Sequence, residues 1–396
     1  MGRWRNMPLS GNVQIINGGT PDTSNPKYWD GDIGWLSVED FNTGTRYVSK
    51  AQKNITEQGL QNSSTNLLPF GSIIISARGT VGVVAQIAAI LAFNQSCYGI
   101  NNIKTWTNDF LYYYLSFNKK QILSATQSGV FNTITKDTFS RINVPVPSIN
   151  EQRRIVAVLS SVDEAIEASR RLAEKYAFVK QGLMRDLLGK GERVVLRKLG
   201  GRFFRGNGLT RSDIKKEGVP CIRYGELYTK YDILLANPES HISESLAEKC
   251  RHIKHGDVLF TLSGETAEEI GKTVAYVGKE QVAIGGDLAV FTNHKQNPLY
   301  LSYILNAPDA LKQKELSATG SMVVHITCKR LAEICVPLPS LREQARIAEI
   351  LTAADERLAA ERKHLAKLKN IKRGLMEDLL TNRVSTDCLQ RRGNDE

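Results

Sequence analysis

The 396-residue chain is long enough for two domains of ordinary size together with connecting elements. Hydrophobic residues make up 41% and charged residues 23%, which is typical of a globular protein and excludes a disordered or fibrous chain. The formal charge is +11 and is positive in each of four consecutive segments (1–150, 151–195, 196–340 and 341–396), which favours a protein that lies along a polyanion such as nucleic acid.

Several other protein classes are excluded at this level. The apolar stretch between Ile73 and Phe93 contains Ser76, Arg78 and Gln86, so it is too short and too polar to cross a bilayer. Residues 1–6 lead into no apolar signal core, and we therefore expect a cytoplasmic protein. The cysteines form no Cys-x-x-Cys pair and have no histidine at zinc spacing, so we expect no disulfide, no metal and no cofactor. These cysteines are Cys97, Cys221, Cys250, Cys328, Cys335 and Cys388.

Residues 1–143 are predicted to form a first block of short strands, glycine turns and polar loops. One loop runs from Gly18-Gly-Thr-Pro-Asp22 to Lys27-Tyr28-Trp29, and another is Ser76-Ala-Arg-Gly-Thr80. Arginine can bind guanine through two hydrogen bonds, asparagine and glutamine can bind adenine similarly, and hydroxyl groups hold phosphates. For any single loop, a solvated surface turn is the alternative. The candidate DNA contacts in this block are Thr20, Lys27, Tyr28, Trp29, Ser76, Arg78 and Thr80.

Residues 144–192 follow as a predicted long helix. Pro147 cannot continue a helix, Ser148 or Asn150 can cap one, and Glu151 falls in the first turn. Apolar residues then recur at alternating intervals of three and four, which is the heptad pattern of a coiled coil; a helix packed on its own domain is the alternative. The seam consists of Ile155, Leu159, Val162, Ile166, Ala173, Tyr176, Leu183 and Leu187.

Residues 193–335 form a second block that resembles the first one faintly. His255-Gly-Asp-Val-Leu-Phe-Thr261 is similar to residues 70–76, and both predict a turn followed by a buried strand. Leu301-Ser-Tyr-Ile-Leu305 is similar to residues 111–115, and both predict a short helix. The candidate DNA contacts in this block are Arg202, Arg205, Asn207, Ser263 and His325.

Residues 336–385 repeat the long helix, and residues 386–396 form a tail. Val144-Pro-Val-Pro-Ser148 recurs at Val336-Pro-Leu-Pro-Ser340, 192 residues later, and without any gap roughly half of the positions up to residue 380 are identical. Chance does not give such a repeat. The seam of the second copy consists of Ile347, Leu351, Ala354, Leu358, Leu365, Leu368, Leu375 and Leu379.

Polar residues also recur within the two seams. Ser169 and Glu361 share one repeat position, and Lys180 and Lys372 share another. Polar seam residues usually fix the register of a coiled coil at some cost in stability. If the helices pair antiparallel about their centres, Lys180 lies near Asp355 and Glu356, and Lys372 lies near Asp163 and Glu164.

The predicted fold is therefore α+β: two α/β recognition domains separated by two long helices, which form an antiparallel coiled coil with a pseudo-twofold repeat. The duplicated helices suggest a role that is common to both halves of the chain, such as pairing with each other or binding a shared partner. The divergent blocks in equivalent places suggest that two different ligands are recognised in the same manner. A helix of about 35 residues is roughly 50 Å long, so domains at its ends could span up to roughly 15 base pairs. We expect two short specific DNA sequences separated by an unread spacer.

These features resemble the specificity subunits of type I restriction–modification systems over essentially the whole chain. The resemblance is carried by the Val-Pro-x-Pro-Ser…Glu-Gln junctions, by the Gly-Leu-Met-x-Asp-Leu-Leu helix ends, and by Gly18-Gly-Thr-Pro…Asn25-Pro-Lys-Tyr-Trp…Gly31-Asp-Ile-Gly-Trp35. The second block departs from the pattern, because it has Arg205-Gly-Asn-Gly208 in place of Gly-Gly-Thr-Pro.

The resemblance implies two target-recognition domains, each of which reads one half of a split site in double-stranded DNA. It also implies spacer helices that dock two methyltransferase subunits, restriction (motor–nuclease) subunits that complete the assembly, and no catalytic centre in this chain. On this basis the helices carrying Ile155, Leu159, Leu183, Leu187, Ile347, Leu351, Leu375 and Leu379 are expected to contact other subunits.

Enzymatic alternatives have weaker support. Asn25-Pro-Lys-Tyr28 is one residue from the Asn-Pro-Pro-Tyr loop of adenine methyltransferases, but no Gly-rich cofactor loop accompanies it. Six residues separate the glycines of Gly264 to Thr273 instead of the four of a phosphate-binding loop. No nuclease motif and no histidine triad is recognisable. The rival class is a coiled-coil scaffold that presents two protein-binding domains.

Overall fold

The computed structural model describes residues 4–101, 103–126, 133–320 and 323–386. The chain divides into two compact units, which are unit 1 (1–169 with 364–396) and unit 2 (170–363). Each unit therefore contains one predicted block together with half of each long helix. The predicted tail, apart from Thr386, and Cys388 lie outside the described residues.

Unit 1 contains a five-stranded and a four-stranded sheet. The larger sheet has the spatial order β2 (Gln14–Asn17), β10 (Cys97–Asn101), β7 (Ile73–Ser76), β8 (Val84–Ile87), β4 (Tyr47–Val48). The smaller sheet has the order β5 (Lys53–Ile55), β3 (Trp29–Leu36), β9 (Leu91–Phe93), β6 (Leu67–Leu68). A separate antiparallel pair joins β1 (Arg5–Pro8) to β11 (Asn143–Val146). The short helices are α1 (Val38–Phe41), α2 (Glu57–Gln61), α3 (Asn108–Phe117), α4 (Lys119–Ser124) and α5 (Lys136–Arg141).

Unit 2 has the same layout. Its larger sheet has the order β13 (Arg202–Arg205), β22 (Leu288–Thr292), β18 (Val258–Thr261), β20 (Thr273–Tyr276), β15 (Leu234–Leu235). Its smaller sheet has the order β16 (Ser240–Ile242), β14 (Val219–Ile222), β21 (Val282–Ile284), β17 (Arg251–Ile253). Two-stranded pairs join β12 (Glu192–Val195) to β24 (Cys335–Leu338), and β19 (Ser263–Gly264) to β23 (Val324–His325). The short helices are α7 (Tyr224–Thr229), α8 (Glu244–Ala247), α9 (Pro298–Leu305), α10 (Pro308–Ser317) and α11 (Cys328–Ala332).

The two blocks are copies of one topology, as the sequence similarities predicted. Strands β7 and β18 both lie in the middle of their sheets, and all four residues of each are buried. The edge strands β4 and β15 both pair parallel to their neighbours, and so do the inner pairs β3–β9 and β14–β21. The predicted helix similarity is confirmed by α3 and α9. The faint sequence similarities between the two blocks therefore identify residues in equivalent structural positions.

The two long helices are α6 (Ile149–Leu188) and α12 (Leu341–Leu380), each of 40 residues. Each begins after the predicted proline–serine junction, because the hydroxyl of Ser148 accepts from the Glu151 N–H at 3.3 Å and that of Ser340 accepts from the Glu343 N–H at 3.4 Å. None of the twenty predicted seam positions is exposed. The heptad pattern therefore identified the buried face of both helices.

Within each unit the beginning of one long helix lies beside the end of the other, which confirms the antiparallel arrangement. In unit 1, Ile155 and Leu159 share a core with Leu379 and Leu380 and with the first block. In unit 2, the corresponding core contains Ile347, Leu351 and Leu188 and the second block. The helix pair is therefore part of both domain cores.

A Tyr–Asp–Lys cluster links the two helix segments to the block in each unit. In unit 1, Asp163 accepts from the Tyr113 hydroxyl at 2.7 Å and lies 2.6 Å from the Lys372 ammonium. In unit 2, Asp355 accepts from the Tyr303 hydroxyl at 2.7 Å and lies 2.5 Å from the Lys180 ammonium. Both predicted lysine–aspartate pairs are confirmed, and the tyrosines extend them to the blocks.

A repeated glutamine ties each block to the first turn of a long helix. The carboxamide of Gln152 accepts from the Thr107 N–H at 2.8 Å and donates to the Pro147 carbonyl at 3.0 Å. In the same way, the carboxamide of Gln344 accepts from the Asn297 N–H at 3.0 Å and donates to the Pro339 carbonyl at 2.9 Å. Both side chains are almost fully buried, so the Glu-Gln motif satisfies backbone groups that would otherwise be unpaired.

The Gly271-Lys272-Thr273 segment has a structural role in unit 2. The fully buried Lys314 of α10 donates to the Gly271 and Leu305 carbonyls, both at 2.6 Å, and its Nζ lies 2.9 Å from Thr273 Oγ1. Burial lowers the pKa of Lys314 from 10.5 to about 7. The Thr273 hydroxyl itself donates to the Gly271 carbonyl at 3.0 Å, so the Lys314 amine acts as the donor to the threonine oxygen as well as to the two carbonyls.

The lysine–aspartate pairs between the two long helices predict that the two side chains of each pair stabilise the fold together. We expect Lys180→Met and Asp355→Leu each to lower the free energy of unfolding by about 1–3 kcal/mol, because each leaves a half-buried charge or hydroxyl without its partner. In a double-mutant cycle by urea unfolding, their coupling should be about 1 kcal/mol or more. The exposed pair Arg170–Glu174 on the same helix is the control and should couple by less than about 0.5 kcal/mol. Equal couplings would contradict this.

Lys314 predicts a pH dependence of stability. Between pH 7 and pH 10.5 the unfolded chain binds a proton that the folded chain does not, so stability increases with pH across this interval and is insensitive to this group below it. The free energy of unfolding of the wild type, measured relative to Lys314→Met, should therefore rise from pH 7 to pH 10. A difference that stays flat from pH 6 to pH 10 would show that Lys314 is charged throughout.

Candidate nucleic-acid interface

The Gly18-Gly19 loop of unit 1 is held by backbone contacts and two tryptophans. A Cβ on Gly18 would lie 1.9 Å from the Asn94 carbonyl oxygen, so only glycine fits between the two loops. The Trp35 indole donates to the Gly19 carbonyl at 2.9 Å. Trp29 packs edge-on against Trp35 and donates to the Asp22 carbonyl at 3.0 Å. The loop therefore presents Thr20 from a fixed backbone.

A cleft of about 520 Å³ opens beside this loop. Its wall includes Arg78, Thr80, Lys53 and Ser96, which come from three different segments of the block. Thr20 donates to the side chain of Gln95, which belongs to the same turn as Ser96. The structure thus brings together the predicted residues Thr20, Arg78 and Thr80 with an amide and a further cation.

Two acidic side chains near the cleft accept hydrogen bonds from local backbone N–H groups. Asp40 accepts from the Ser37 N–H at 2.7 Å and from the Gln52 N–H at 2.8 Å. Asp22 accepts from the Ser24 N–H at 2.9 Å, which lowers its pKa. These two carboxylates therefore do not pair with Arg78 or Lys53, whereas the exposed Glu39 lines the same cleft as both cations.

The second block has a counterpart to this loop that its sequence does not reveal. A Cβ on Gly206 would lie 2.1 Å from the Gly285 carbonyl oxygen, which repeats the Gly18–Asn94 contact. The Asn207 N–H donates to the Ile284 carbonyl at 3.3 Å, just as the Gly19 N–H donates to Phe93 at 3.0 Å. Gly206-Asn-Gly-Leu209 therefore follows the backbone path of Gly18-Gly-Thr-Pro21 without its sequence.

The side chains around the second loop differ from those around the first. The Arg205 guanidinium lies 3.7 Å from Asp287, and Arg251 donates to the Arg205 carbonyl at 3.2 Å. Asn207 donates to the Lys249 carbonyl at 2.9 Å. The two equivalent loops thus carry different side chains, which are Thr20 with Gln95 in unit 1 and Arg205 with Asn207 in unit 2.

The predicted residues Ser263 and His325 lie together in unit 2. Their strands β19 and β23 pair antiparallel, and Ser263 Oγ is 3.0 Å from His325 Nδ1. Ser263 is buried, whereas His325 is exposed. The histidine therefore reaches the surface while the serine orients its ring.

The remaining predicted residues occupy other positions. Ser76 is fully buried, and its hydroxyl accepts from the Val83 N–H at 2.8 Å, so it shapes the turn that carries Arg78. Arg202 begins β13 at the opposite end from Arg205. Lys27 and Tyr28 form a 3₁₀ turn between the loop and Trp29, with Lys27 exposed.

Sequence reasoning missed several side chains at the two loops. Gln95 and Ser96 occupy the β9–β10 turn, and Asp287 occupies the equivalent turn between β21 and β22. Arg223 and the exposed Tyr224 stand at the start of α7, which is equivalent to α1 beside the first cleft. Only the pairing of β9 and β21 with their neighbours places these turns beside the glycine loops, so no local motif could have identified them.

The eight seam residues expected on helices that contact other subunits lie inside the chain. Ile155, Leu159, Ile347, Leu351 and Leu379 are fully or almost fully buried in the cores of their own units. Leu183, Leu187 and Leu375 are partly buried against the same cores. Any contact with another subunit therefore involves other faces of the helices.

In the described part of the chain, none of the helices combines the length and the hydropathy of a membrane span. Within the same residues, no group of three or more histidine, cysteine or acidic side chains could hold a metal ion.

Comparison with known families identifies the chain. It matches the family described as the type I restriction modification DNA specificity domain over two stretches, residues 1–175 and 198–370. The chain therefore belongs to this family, which confirms the resemblance seen in the sequence. The two matches follow the duplicated block-and-helix plan.

Curated relatives are themselves specificity subunits. The chain is 30% identical to the type I restriction enzyme MjaIX specificity subunit of Methanocaldococcus jannaschii, over 41% of this chain and 38% of that protein. It is 21% identical to the MjaVIII specificity subunit of the same organism over 96% and 93% of the two chains. It is 31% identical to the EcoR124I/EcoR124II specificity subunit of Escherichia coli over 37% of each.

Solved structures share the fold. The specificity subunit of a type I restriction–modification system from M. genitalium matches with a TM-score of 0.61 at 16% identity, over 95% of this chain and 96% of that one. A chain from a structure of complex assembly and conformational transition of the type I system matches with a TM-score of 0.55 at 19% identity, over 96% and 98%. Specificity subunits are the non-catalytic components of these systems, as the sequence predicted for this chain.

The glycine loops predict position-specific effects of an added methyl group. Gly206→Ala should lower the free energy of unfolding by about 1–3 kcal/mol, because the new Cβ would collide with the Gly285 carbonyl. Gly208→Ala is the matched control, since a Cβ there meets nothing within 4 Å, and it should change stability by less than about 0.5 kcal/mol. Urea unfolding measures both, and equal effects would contradict the assigned loop path.

Proposed function

We propose that this chain is the sequence-reading subunit of a type I restriction–modification enzyme and that each block reads one half of a split site in double-stranded DNA. The observation that carries this proposal is the pair of equivalent glycine loops, which have one backbone path and different exposed side chains. A common backbone supports a common mode of docking, and different side chains support different base sequences.

In unit 1, the proposed contacts are Arg78, Thr80, Thr20 and Lys53, together with Gln95. The arginine in the cleft and the glutamine in the adjoining turn can bind guanine and adenine edges, while lysine and threonine side chains hold phosphates. Lys27, Tyr28 and Trp29 form the flank of the loop. Ser76 is assigned to loop support because its hydroxyl is buried and bonded to backbone.

In unit 2, the proposed contacts are Arg205, Asn207, Arg223 and His325, with Arg202 as a more distant phosphate contact. Arginine predominates here, which favours guanine-containing half-sites or closer phosphate contact. Ser263 positions the His325 ring. The overall charge of +11 supports salt-sensitive association with DNA in the cytoplasm.

The long helices are proposed to set the distance between the two half-sites and to dock the methyltransferase and restriction subunits. A continuous helix of 40 residues is about 60 Å long, enough to separate two half-sites by about one turn of the duplex. The base pairs between the half-sites are expected to form an unread spacer.

Mapping methylated adenines across the host genome, with and without this gene, tests the proposal. We expect a split motif that disappears when the gene is deleted. Exchanging residues 1–143 for those of a relative should change one half of the motif only. A change in both halves would contradict independent reading, and salt-independent binding to a protein without DNA binding would favour the scaffold alternative.

The position of Arg78 in the cleft of unit 1 predicts that this residue affects base preference, unlike exposed cations elsewhere in the block. Arg78→Ala should weaken binding to the specific duplex by about 1–3 kcal/mol and relax base preference in one half-site. Lys120→Ala removes an exposed cation on α4 of the same block and is the control; it should leave base preference unchanged. Competition binding against duplexes altered in each half-site measures both, and identical profiles would place Arg78 outside the base-reading surface.

A further inference from the structure

Helices α1 and α7 begin at equivalent places in the two units, so their residues can be compared one by one. In α1 the Asp40 carboxylate accepts from the N–H of the N-cap residue at 2.7 Å, and in α7 the Glu226 carboxylate does so at 3.0 Å. Each helix is thus capped by an acidic residue at its third position. This alignment places Glu39 of unit 1 and Gly225 of unit 2 at the same position.

Glu39 adds a carboxylate to the wall of the unit 1 cleft. Its side chain is exposed and lines the cleft together with Arg78 and Lys53. Within the residues that the structure describes, it forms no ion pair with either cation. The cap of α1 is made by the neighbouring Asp40 and not by Glu39. The Glu39 carboxylate is therefore a hydrogen-bond acceptor that a ligand in the cleft can reach.

A carboxylate in a DNA-binding cleft distinguishes bases by the groups that they present. In the major groove cytosine presents an N4 amino group, which donates, whereas guanine and thymine present carbonyl oxygens, which a carboxylate repels. Adenine presents the acceptor N7 beside its N6 amino group, so it suits a carboxylate less well than cytosine does. Phosphates carry the same charge as the carboxylate and are repelled too. The cytosine edge is therefore the part of a duplex that fits this acceptor best.

We propose that Glu39 is a specificity-determining residue of unit 1, which accepts a hydrogen bond from the N4 amino group of a cytosine and rejects guanine and thymine at that position. This inference rests on the proposed function, because it takes unit 1 as a reader of duplex DNA. A G·C pair presents the guanine acceptors for Arg78 and the cytosine donor for Glu39 along one edge. The half-site of unit 1 therefore contains a G·C pair.

Unit 2 lacks both members of this combination. A Cβ on Gly225 would meet nothing within 4 Å, so the place of the Glu39 side chain is open in unit 2. Arg78 and Ser263 each lie two residues after the equivalent strands β7 and β18, so a buried serine stands at the position of the arginine. The carboxylate therefore affects one half-site only, and the other half-site serves as an internal reference.

Glu39→Gln in the full chain tests this inference, by mapping of methylated adenines in the host and by competition binding to duplexes that carry the mapped motif. A glutamine carboxamide can both donate and accept, which matches the N7 and N6 groups of adenine. We expect the preference for cytosine over adenine to fall by about tenfold at one position of the unit 1 half-site. The other half-site and the spacer should stay unchanged.

Glu57→Gln is the matched control, because Glu57 is an exposed residue in the first turn of α2 in the same block and does not line the cleft. It should leave base preference unchanged. Equal strengthening of binding to every duplex by Glu39→Gln would place the carboxylate beside a phosphate and overturn the inference, and so would unaltered binding or a unit 1 half-site without a G·C pair. A wild-type chain that directs no methylation to a split motif would instead overturn the proposed function.

Discussion

A half-buried lysine in the seam of each long helix needs a carboxylate, and this need determines how the helices pair. Two copies of one sequence that run parallel and in register would place Lys180 beside Lys372 and Asp163 beside Asp355. Antiparallel pairing about the centres places each lysine against an aspartate, at 2.5 and 2.6 Å. Like charges in a low-dielectric seam are costly, so the repeat encodes the direction of its own pairing.

The same aspartates connect the helices to the blocks. Each aspartate accepts a hydrogen bond from a tyrosine hydroxyl on the helix that packs against the larger sheet. The tyrosine is Tyr113 in unit 1 and Tyr303 in unit 2. The buried glutamines at the start of each long helix add a second fixed contact. The blocks are thus held to the helix pair by duplicated groups, while the glycine loops differ in their side chains.

The sequence predicted the parts of the fold that are repeated. Heptad spacing predicted the buried face of both helices, and the family resemblance implied antiparallel pairing, for which the duplicated charges predicted the lysine–aspartate contacts. The buried strands β7 and β18 were recognisable because an apolar run follows a glycine turn in both blocks. These features depend on local patterns or on self-comparison, which one sequence contains.

The candidate interface was less predictable, because it is assembled from turns that are far apart in the chain. The match between Gly18 and Gly206 depends on the carbonyls of Asn94 and Gly285, which only sheet topology brings near. Exposure could not be inferred either, and so Ser76 and Ser263 were grouped with surface residues although both are buried. The Gly271-Lys272-Thr273 segment had a phosphate-loop appearance, and its structural use with Lys314 was visible only in three dimensions.

In the proposed function, the paired helices fix the distance between two different DNA-reading surfaces. Deleting one heptad from the middle of each helix, residues 168–174 and 361–367, keeps both lysine–aspartate pairs in register and shortens the pair by about 10 Å, or about three base pairs. Mapping of methylated adenines should then show the same two half-sites with a spacer about three base pairs shorter. Both half-sites at their original spacing would contradict the account.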